Sequence, residues 1–275
     1  MKVLFYSFFS FLLLSFTLSS SVGKKTGSEV KVNKQKEHFK YILHKSDTRG
    51  QSKTPWLLSR HTFSFNRYYD PERMNFGTLR VLNDDYVDKG KGFGTHPHDN
   101  MEIISIVLEG AIEHEDNMGN KGIIKAGDVQ IMSAGTGITH SEYNHSKTDP
   151  LKFLQIWVFP DKKDVKPRYE QINGILNNVP VNTFKTIVSP TNTNAVFLYQ
   201  NAVFSIGEFN MQKKAEYSLA YNGNGVYAFI LEGSAKINGI PIERRDGIGI
   251  WETNKISIET TPGLKILLMD VPMID

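Results

Sequence analysis

Cysteine is absent from the 275-residue chain. No disulfide, thiol nucleophile or thiolate metal ligand can exist, and a lipid anchor on an acylated cysteine is excluded. Histidine is confined to one side of the chain. All eight lie at or before His145, so residues 146–275 have none. A metal site must therefore be built from imidazole and carboxylate, in the first half. An excess of charge is also missing. Lys+Arg number 32 against 29 for Asp+Glu, a formal net charge of +3. Lys24, Lys25, Lys31, Lys34 and Lys36 fall in one N-terminal stretch. That leaves no basic footprint for nucleic acid.

The one long apolar stretch is at the start. Val3 to Leu18 is broken by Ser7, Ser10, Ser15 and Thr17, and it is short of the roughly 20 residues that span a bilayer. Lys2 precedes it and Ser19, Ser20 and Ser21 follow. This pattern predicts a secretory signal peptide over residues 1–22. The mature protein is then exported, periplasmic or secreted, with no stable membrane anchor after cleavage. The missing cysteine suits a bacterial periplasm better than an oxidising secretory lumen. Residues 23–38 are polar and lysine-rich and read as a flexible basic linker.

From Phe39 onward the chain alternates short β-type runs with turn signals. Hydrophobic residues at 40% and charged residues at 22% are ordinary for a globular protein. Asn83-Asp84-Asp85, Asn117-Met118-Gly119-Asn120 and Ala126-Gly127-Asp128 read as punctuation between strands. Many short strands at regular spacing predict an all-β sandwich or barrel. An internal repeat predicts two of them. Ile106 to Gly110 (IVLEG) returns as Phe229 to Gly233 (FILEG). Ala126 to Val129 is echoed by Asp246 to Gly249, and Leu151 to Leu154 by Leu264 to Leu267. The expected domains are 39–165, which holds every candidate ligand, and a metal-free 166–275. Aligned on the repeat, His96 and His98 fall near Leu219 and Tyr221, so the second unit should have an apolar, filled interior.

The chemistry concentrates in two segments. In Gly92-Phe93-Gly94-Thr95-His96-Pro97-His98 the two imidazoles sit one residue apart. On a strand they leave the same face. His140 and Glu142, in Gly135-Thr136-Gly137-Ile138-Thr139-His140-Ser141-Glu142, share that relation. Two such pairs on facing strands make a pocket of three nitrogens and a carboxylate, which suits a first-row transition metal.

Longer blocks carry a resemblance. They are Trp56 to Phe65 (WLLSRHTFSF), Tyr69-Asp70-Pro71, Phe76 to Asp85 (FGTLRVLNDD), Gly92 to His98, Asn100 to Ser105, Gly127 to Gln130 and Ala134 to Asn144 (AGTGITHSEYN). Through them the chain resembles the pirin family of the cupin superfamily, strongly over residues 40–160 and weakly beyond. The resemblance implies a bicupin of two tandem jelly-roll-like barrels with one divalent transition metal in the first. That metal is Fe2+ in most relatives, and the donors also suit Mn, Ni, Co, Cu or Zn. It implies His96, His98, His140 and Glu142 as ligands. It also implies quercetin 2,3-dioxygenase-like activity on a small aromatic substrate with O2. Glu142, once loosened from the metal, is the carboxylate expected to take the substrate's hydroxyl proton. A monomer is expected. The alternative is a non-enzymatic, redox-responsive metal module that acts through a protein partner. The export-like N-terminus departs from the family pattern.

Glu102 is the rival carboxylate, since a generic cupin takes its glutamate a few residues past HxH. On an extended strand it would lie about 13 Å from His98, too far for one ion. Asn144 is read as orienting the site or serving a turn. His61 reads as structural and His114 as solvated. Arg60, Arg80, Asp84 and Asp85 read as scaffold. Phe63, Phe65, Phe76 and Phe93 read as core, with one or two available to line a pocket for a flat ligand.

Overall fold

The computed structural model describes residues 29–32 and 39–274. The predicted signal peptide over 1–22 lies outside the described residues. Among the described residues the chain is all-β, with one 3-10 turn at Ser46–Thr48 and no α-helix. Within the expected linker, Glu29–Val32 forms a strand that pairs antiparallel with Lys40–His44.

Each half is a seven-stranded sheet facing a four-stranded one. The expectation of closed barrels is corrected here, because strands pair only within their own sheet and each sheet keeps two edges. In the first half the large sheet runs in the order Arg168–Ile172, Val129–Ser133, Glu102–Glu109, Leu151–Val158, Leu79–Val87, Leu57–His61 and Gly50–Lys53. The small sheet runs Gly92–His98, Ile138–Asn144, Ala111–Asp116 and Lys121–Lys125. The second half repeats this plan, and the three repeated segments fall on matching strands. Glu102–Glu109 corresponds to Asn224–Glu232, Val129–Ser133 to Gly247–Trp251, and Leu151–Val158 to Leu264–Pro272.

One position in each large sheet is exchanged. Lys40–His44 pairs with Gly247–Trp251 in the C-terminal sheet. Arg168–Ile172 pairs with Val129–Ser133 in the N-terminal sheet. The two halves are thus tied by a strand apiece. Their large sheets also pack on each other through a shared core, which includes Leu82, Ile104, Ile106 and Leu154 from one side and Phe204, Tyr227, Phe229 and Leu267 from the other.

The tripeptide Asn83-Asp84-Asp85 is not a turn. It lies in the middle of Leu79–Val87, with Asn83 and Asp85 buried. Period-2 alternation sends these two inward and Asp84 outward. Short polar residues lowered the strand propensity locally, and cross-strand pairing on both flanks overrode it.

In the second half Lys214–Ser218 takes the place of Gly92–His98, and Lys255–Thr260 that of Ile138–Asn144. Leu219 and Tyr221 therefore lie just beyond the strand equivalent to the HxH strand. The inward residues are Tyr217, Ile256 and Ile258, packed with Val226, Ala228 and Ile266 into an apolar interior.

Candidate metal centre

The inner face of the first half is layered. Val81, Trp157, Ile103 and Met132 are neighbours across the large sheet and make an apolar top row. Below it, in register, run His61, Asn83, Gln155, Ser105, Gln130 and Gln171. A third row, Ser59, Asp85, Phe153 and Val107, closes the bottom. A polar stripe thus crosses a β-sandwich core at one level, directly opposite the small sheet. In three otherwise apolar strands it is carried by one residue each: Ser105, Gln130 and Gln155. Buried polar groups need partners. The Ser105 hydroxyl lies 2.9 Å from Gln155 Oε1 and 3.2 Å from Glu142 Oε1.

Above the stripe, Gly92–His98 and Ile138–Asn144 pair antiparallel with His96 opposite His140. Alternation holds on the second strand, where His140, Glu142 and Asn144 are buried while Thr139, Ser141 and Tyr143 are more exposed. The strands approach closely because one partner is glycine. A Cβ on Gly92 would stand 2.3 Å from the Glu142 carbonyl oxygen and 2.4 Å from Tyr143 Cα.

Three imidazoles converge. Ring centres are 4.8 Å apart for His96 and His98, 4.5 Å for His96 and His140, and 5.0 Å for His98 and His140. One nitrogen from each lies within 4.8 Å of the others. Glu142 does not join this group directly. A register shift falls between His140 and Glu142, and the Glu142 carboxylate clusters with His140 and His114. The four expected residues therefore form two overlapping triads that share His140.

The electrostatics fit a cation. His140 is 1% exposed, and neither of its ring nitrogens has a hydrogen-bond partner; nor does Nε2 of His98. Buried lone pairs without a donor are costly in a protein interior. Burial, reinforced by His96, His98 and His114, pushes the His140 pKa down to about 2. Burial and then His96 bring His98 to about 4. Both rings are neutral at physiological pH, the state a metal requires. Burial raises the Glu142 carboxyl to about 7, against the lowering effect of Ser105.

His114 is corrected from solvated to buried. Ala111–Asp116 alternates so that Ile112, His114 and Asp116 point inward. The ring centre of His114 is 5.3 Å from that of His140 and 4.7 Å from that of Tyr169, and its Nε2 is 3.4 Å from Asp116 Oδ2. Its parity with Ile112 was the sequence signal for this placement. Glu102 faces the other way. It shares the outward face of its strand with Ile104 and Ile106, accepting hydrogen bonds from Ser133 Oγ at 2.9 Å and the Tyr199 amide at 3.3 Å. Asn144 is scaffold, its amide donating to the carbonyls of Val87, Asp88 and Asp149.

A cleft of about 90 Å³ opens beside the cluster, with His96 and Glu142 on its wall. Phe65, Phe93, Phe153 and Trp157 supply its apolar lining, and His61, Asn83 and Asp85 its polar end. Of the four phenylalanines singled out in the sequence, Phe65 and Phe93 line the pocket, while Phe63 and Phe76 sit in the core. His61 is more than filler. Its Nδ1 is 2.8 Å from Asn83 Oδ1 and its Nε2 is 2.8 Å from Ser52 Oγ.

Comparison with known proteins agrees with this architecture. Two family models match, Pirin over residues 43–158 and the quercetinase C-terminal cupin domain over residues 186–271. A quercetin 2,3-dioxygenase of Escherichia coli (strain K12) is 41% identical over 231 residues, covering 84% of this chain and 98% of that protein. A pirin-like protein of Caulobacter vibrioides is 37% identical, with 82% and 96% covered. Among solved structures, a bacterial pirin from Escherichia coli in complex with nickel(II) superposes with a TM-score of 0.80 at 40% identity, over 85% of this chain and 100% of that one.

Proposed function

The chain belongs to the pirin family, and from that premise we propose that it is a metal-dependent dioxygenase acting on quercetin or a related flavonol-like aromatic. The observation that carries this reading is the set of three converging imidazoles, two of them held neutral by burial, beside a buried carboxylate at the wall of an aromatic cleft. His96, His98, His140 and Glu142 would hold one divalent transition metal, with Fe2+ as the first candidate. Such a metal supplies Lewis acidity and redox exchange to a bound enol and O2.

The chain's own residues do the rest. Glu142 is the buried carboxylate at the cluster, and once loosened from the metal it can accept a phenolic or enolic proton. Ser105 restrains one of its oxygens. Phe65, Phe93 and Trp157 exclude water from the reacting face. The polar end at His61 and Asn83 meets a hydroxyl of the substrate. Reconstituted anaerobically with iron, manganese, nickel, cobalt or copper and then exposed to air, the protein should bleach the visible absorbance of quercetin. No loss with any of these metals overturns the reading.

The volume of the cleft favours a second reading. Drug-sized ligands fill roughly 300–1,000 Å³, and about 90 Å³ admits only a ring edge unless the rim moves. A metal-binding, redox-responsive module that acts through a partner needs no larger cleft. Full metal occupancy without turnover would select it. We also propose export, with residues 1–22 removed. N-terminal sequencing of protein from its own host should begin past residue 22, and recovery of Met1 or Lys2 in a soluble cytoplasmic fraction rejects export.

A further inference from the structure

A second cleft, of about 450 Å³, lies on the outer face of the strands that line the metal centre. Arg60 and Asp84 are directly opposed on Leu57–His61 and Leu79–Val87 and point outward, while their neighbours His61 and Asp85 point inward. Ser46, Asp47 and Arg49, in and just after the 3-10 turn that links the two halves, and Arg244 and Arg245, from a turn of the second half, complete the rim with Lys152, so that five cations face the two carboxylates Asp47 and Asp84. The cleft is therefore assembled only when both halves are in place.

Its charge is not balanced. Arg244 is committed to Glu232, which also lies 3.5 Å from Nη2 of Arg245, and Lys152 is committed to Glu109. Asp84 is shared, 3.4 Å from Nη2 of Arg49 and 3.4 Å from Nη1 of Arg245. Arg60 is exposed, and no ion pair or hydrogen bond of its side chain is found among the described residues. The Arg49 side chain is only 2% exposed, yet its Nε and Nη1 have no hydrogen-bond partner. Its guanidinium is held 5.4 Å from the centre of the Phe229 ring, which fixes it in place without engaging those donors. Arg245 occupies the left-handed region at φ 65°, a conformation unusual for a long side chain, and its guanidinium is turned into the cleft beside Asp84.

We propose that this cleft binds a phosphate group, free or as the monoester of a small molecule, through Arg60 and Arg245, with the buried Arg49 adding positive charge behind them. Forked guanidinium donors lining one cleft match an oxyanion with three or more acceptor oxygens better than a single carboxylate. The volume exceeds that of phosphate alone and leaves room for an esterified carbon skeleton. This site is independent of the dioxygenase reading. It draws on the opposite face of the sheet and on no residue of the metal cluster.

Calorimetric titration of the full chain with inorganic phosphate, at an ionic strength fixed with chloride, tests it. A submillimolar dissociation constant is expected. Arg60→Gln should weaken it at least tenfold, and Arg60→Gln with Arg245→Gln should abolish it. Lys236→Gln, a remote surface cation paired with Glu259, should leave it unchanged. Arg60 has no partner to lose, so its single variant folds and keeps the test valid even if Arg245→Gln does not. Titration with phenyl phosphate separates the sources. Tighter binding than inorganic phosphate assigns an ester, and equal or weaker binding assigns the free anion. No heat above the chloride control, or an Arg60→Gln variant that binds as wild type, overturns the proposal.

Discussion

His140 is shared by both triads, which makes it the residue on which the centre turns. In the metal-free protein it is neutral far below pH 6, while Glu142 holds a proton up to about 7. A cation entering at pH 6 should therefore displace a proton from Glu142, and none from His98 or His140. Buffers of different ionisation enthalpy will show that proton in the calorimetric heat of nickel binding. Glu142→Gln should remove it and lower affinity at least tenfold. In the same titration Glu102→Gln should match wild type, since Glu102 bonds to Ser133 and Tyr199 on the far face. His114→Gln should bind about 10-fold to 100-fold more weakly, as expected for a group that orients ligands. A loss from Glu102→Gln with none from Glu142→Gln would reverse the assignment.

At the scale of elements, the spacing of two strands sets the site. Gly92 lets Gly92–His98 lie against Ile138–Asn144 where Glu142 leaves the register. A methyl group there meets backbone at both nearest atoms, and backbone does not yield as a flexible side chain would. Gly92→Ala should spread the pair, moving His96 away from His140 while every ligand remains present. Metal affinity should drop about tenfold or more in competition with a chelator, with the β-sheet circular dichroism unchanged. Wild-type affinity in that variant would show that the strand spacing does not control the cluster. The polar stripe behaves as an element in the same sense. Ser105, Gln130 and Gln155 come from three strands and meet only because the register aligns them.

Across the whole molecule, two sets of buried groups oppose each other in their response to pH. Burial holds His44, His98 and His140 at about 3, 4 and 2. The unfolded chain takes up their protons near 6.5, so each costs stability as pH falls through that value. Burial raises Asp85, Glu102 and Glu142 to about 7. The folded state takes up these protons first, so each adds stability as pH falls from 7 towards 4 and loses it as pH rises through 7. Burial also lowers His61 and His114 and raises Asp270, so the opposed terms largely offset between about pH 4.5 and 6.5. Below about pH 4 the carboxyls are protonated in both states and the histidine term stands alone, at roughly 1.4 kcal/mol per pH unit for each uncompensated proton. Urea midpoints of the chelator-treated protein should be level across the middle window and fall steeply below it. They should decline modestly from pH 6.5 to 8, less so in Glu142→Gln. A steady slope through the middle window would contradict this balance.

Strand periodicity and residue pairs at i, i+2 are local properties, so the sequence alone determined an all-β duplicated chain, the absence of histidine from its second half, and the inward pairing of His96 with His98 and of His140 with Glu142. The tertiary structure decided what depends on the third dimension. The exchange of Lys40–His44 and Arg168–Ile172 between halves places strands beside partners more than a hundred residues away in one case and tens of residues away in the other, which no local pattern encodes. Asn83 to Asp85 read as a turn until two flanking strands claimed it. His114 entered the centre because its strand packs edge-on beside Ile138–Asn144. Glu102, already too far from His98 to share an ion, also faces away from the centre, because a positive φ of 42° at Asn100 breaks the extended path and resets which face each later residue takes.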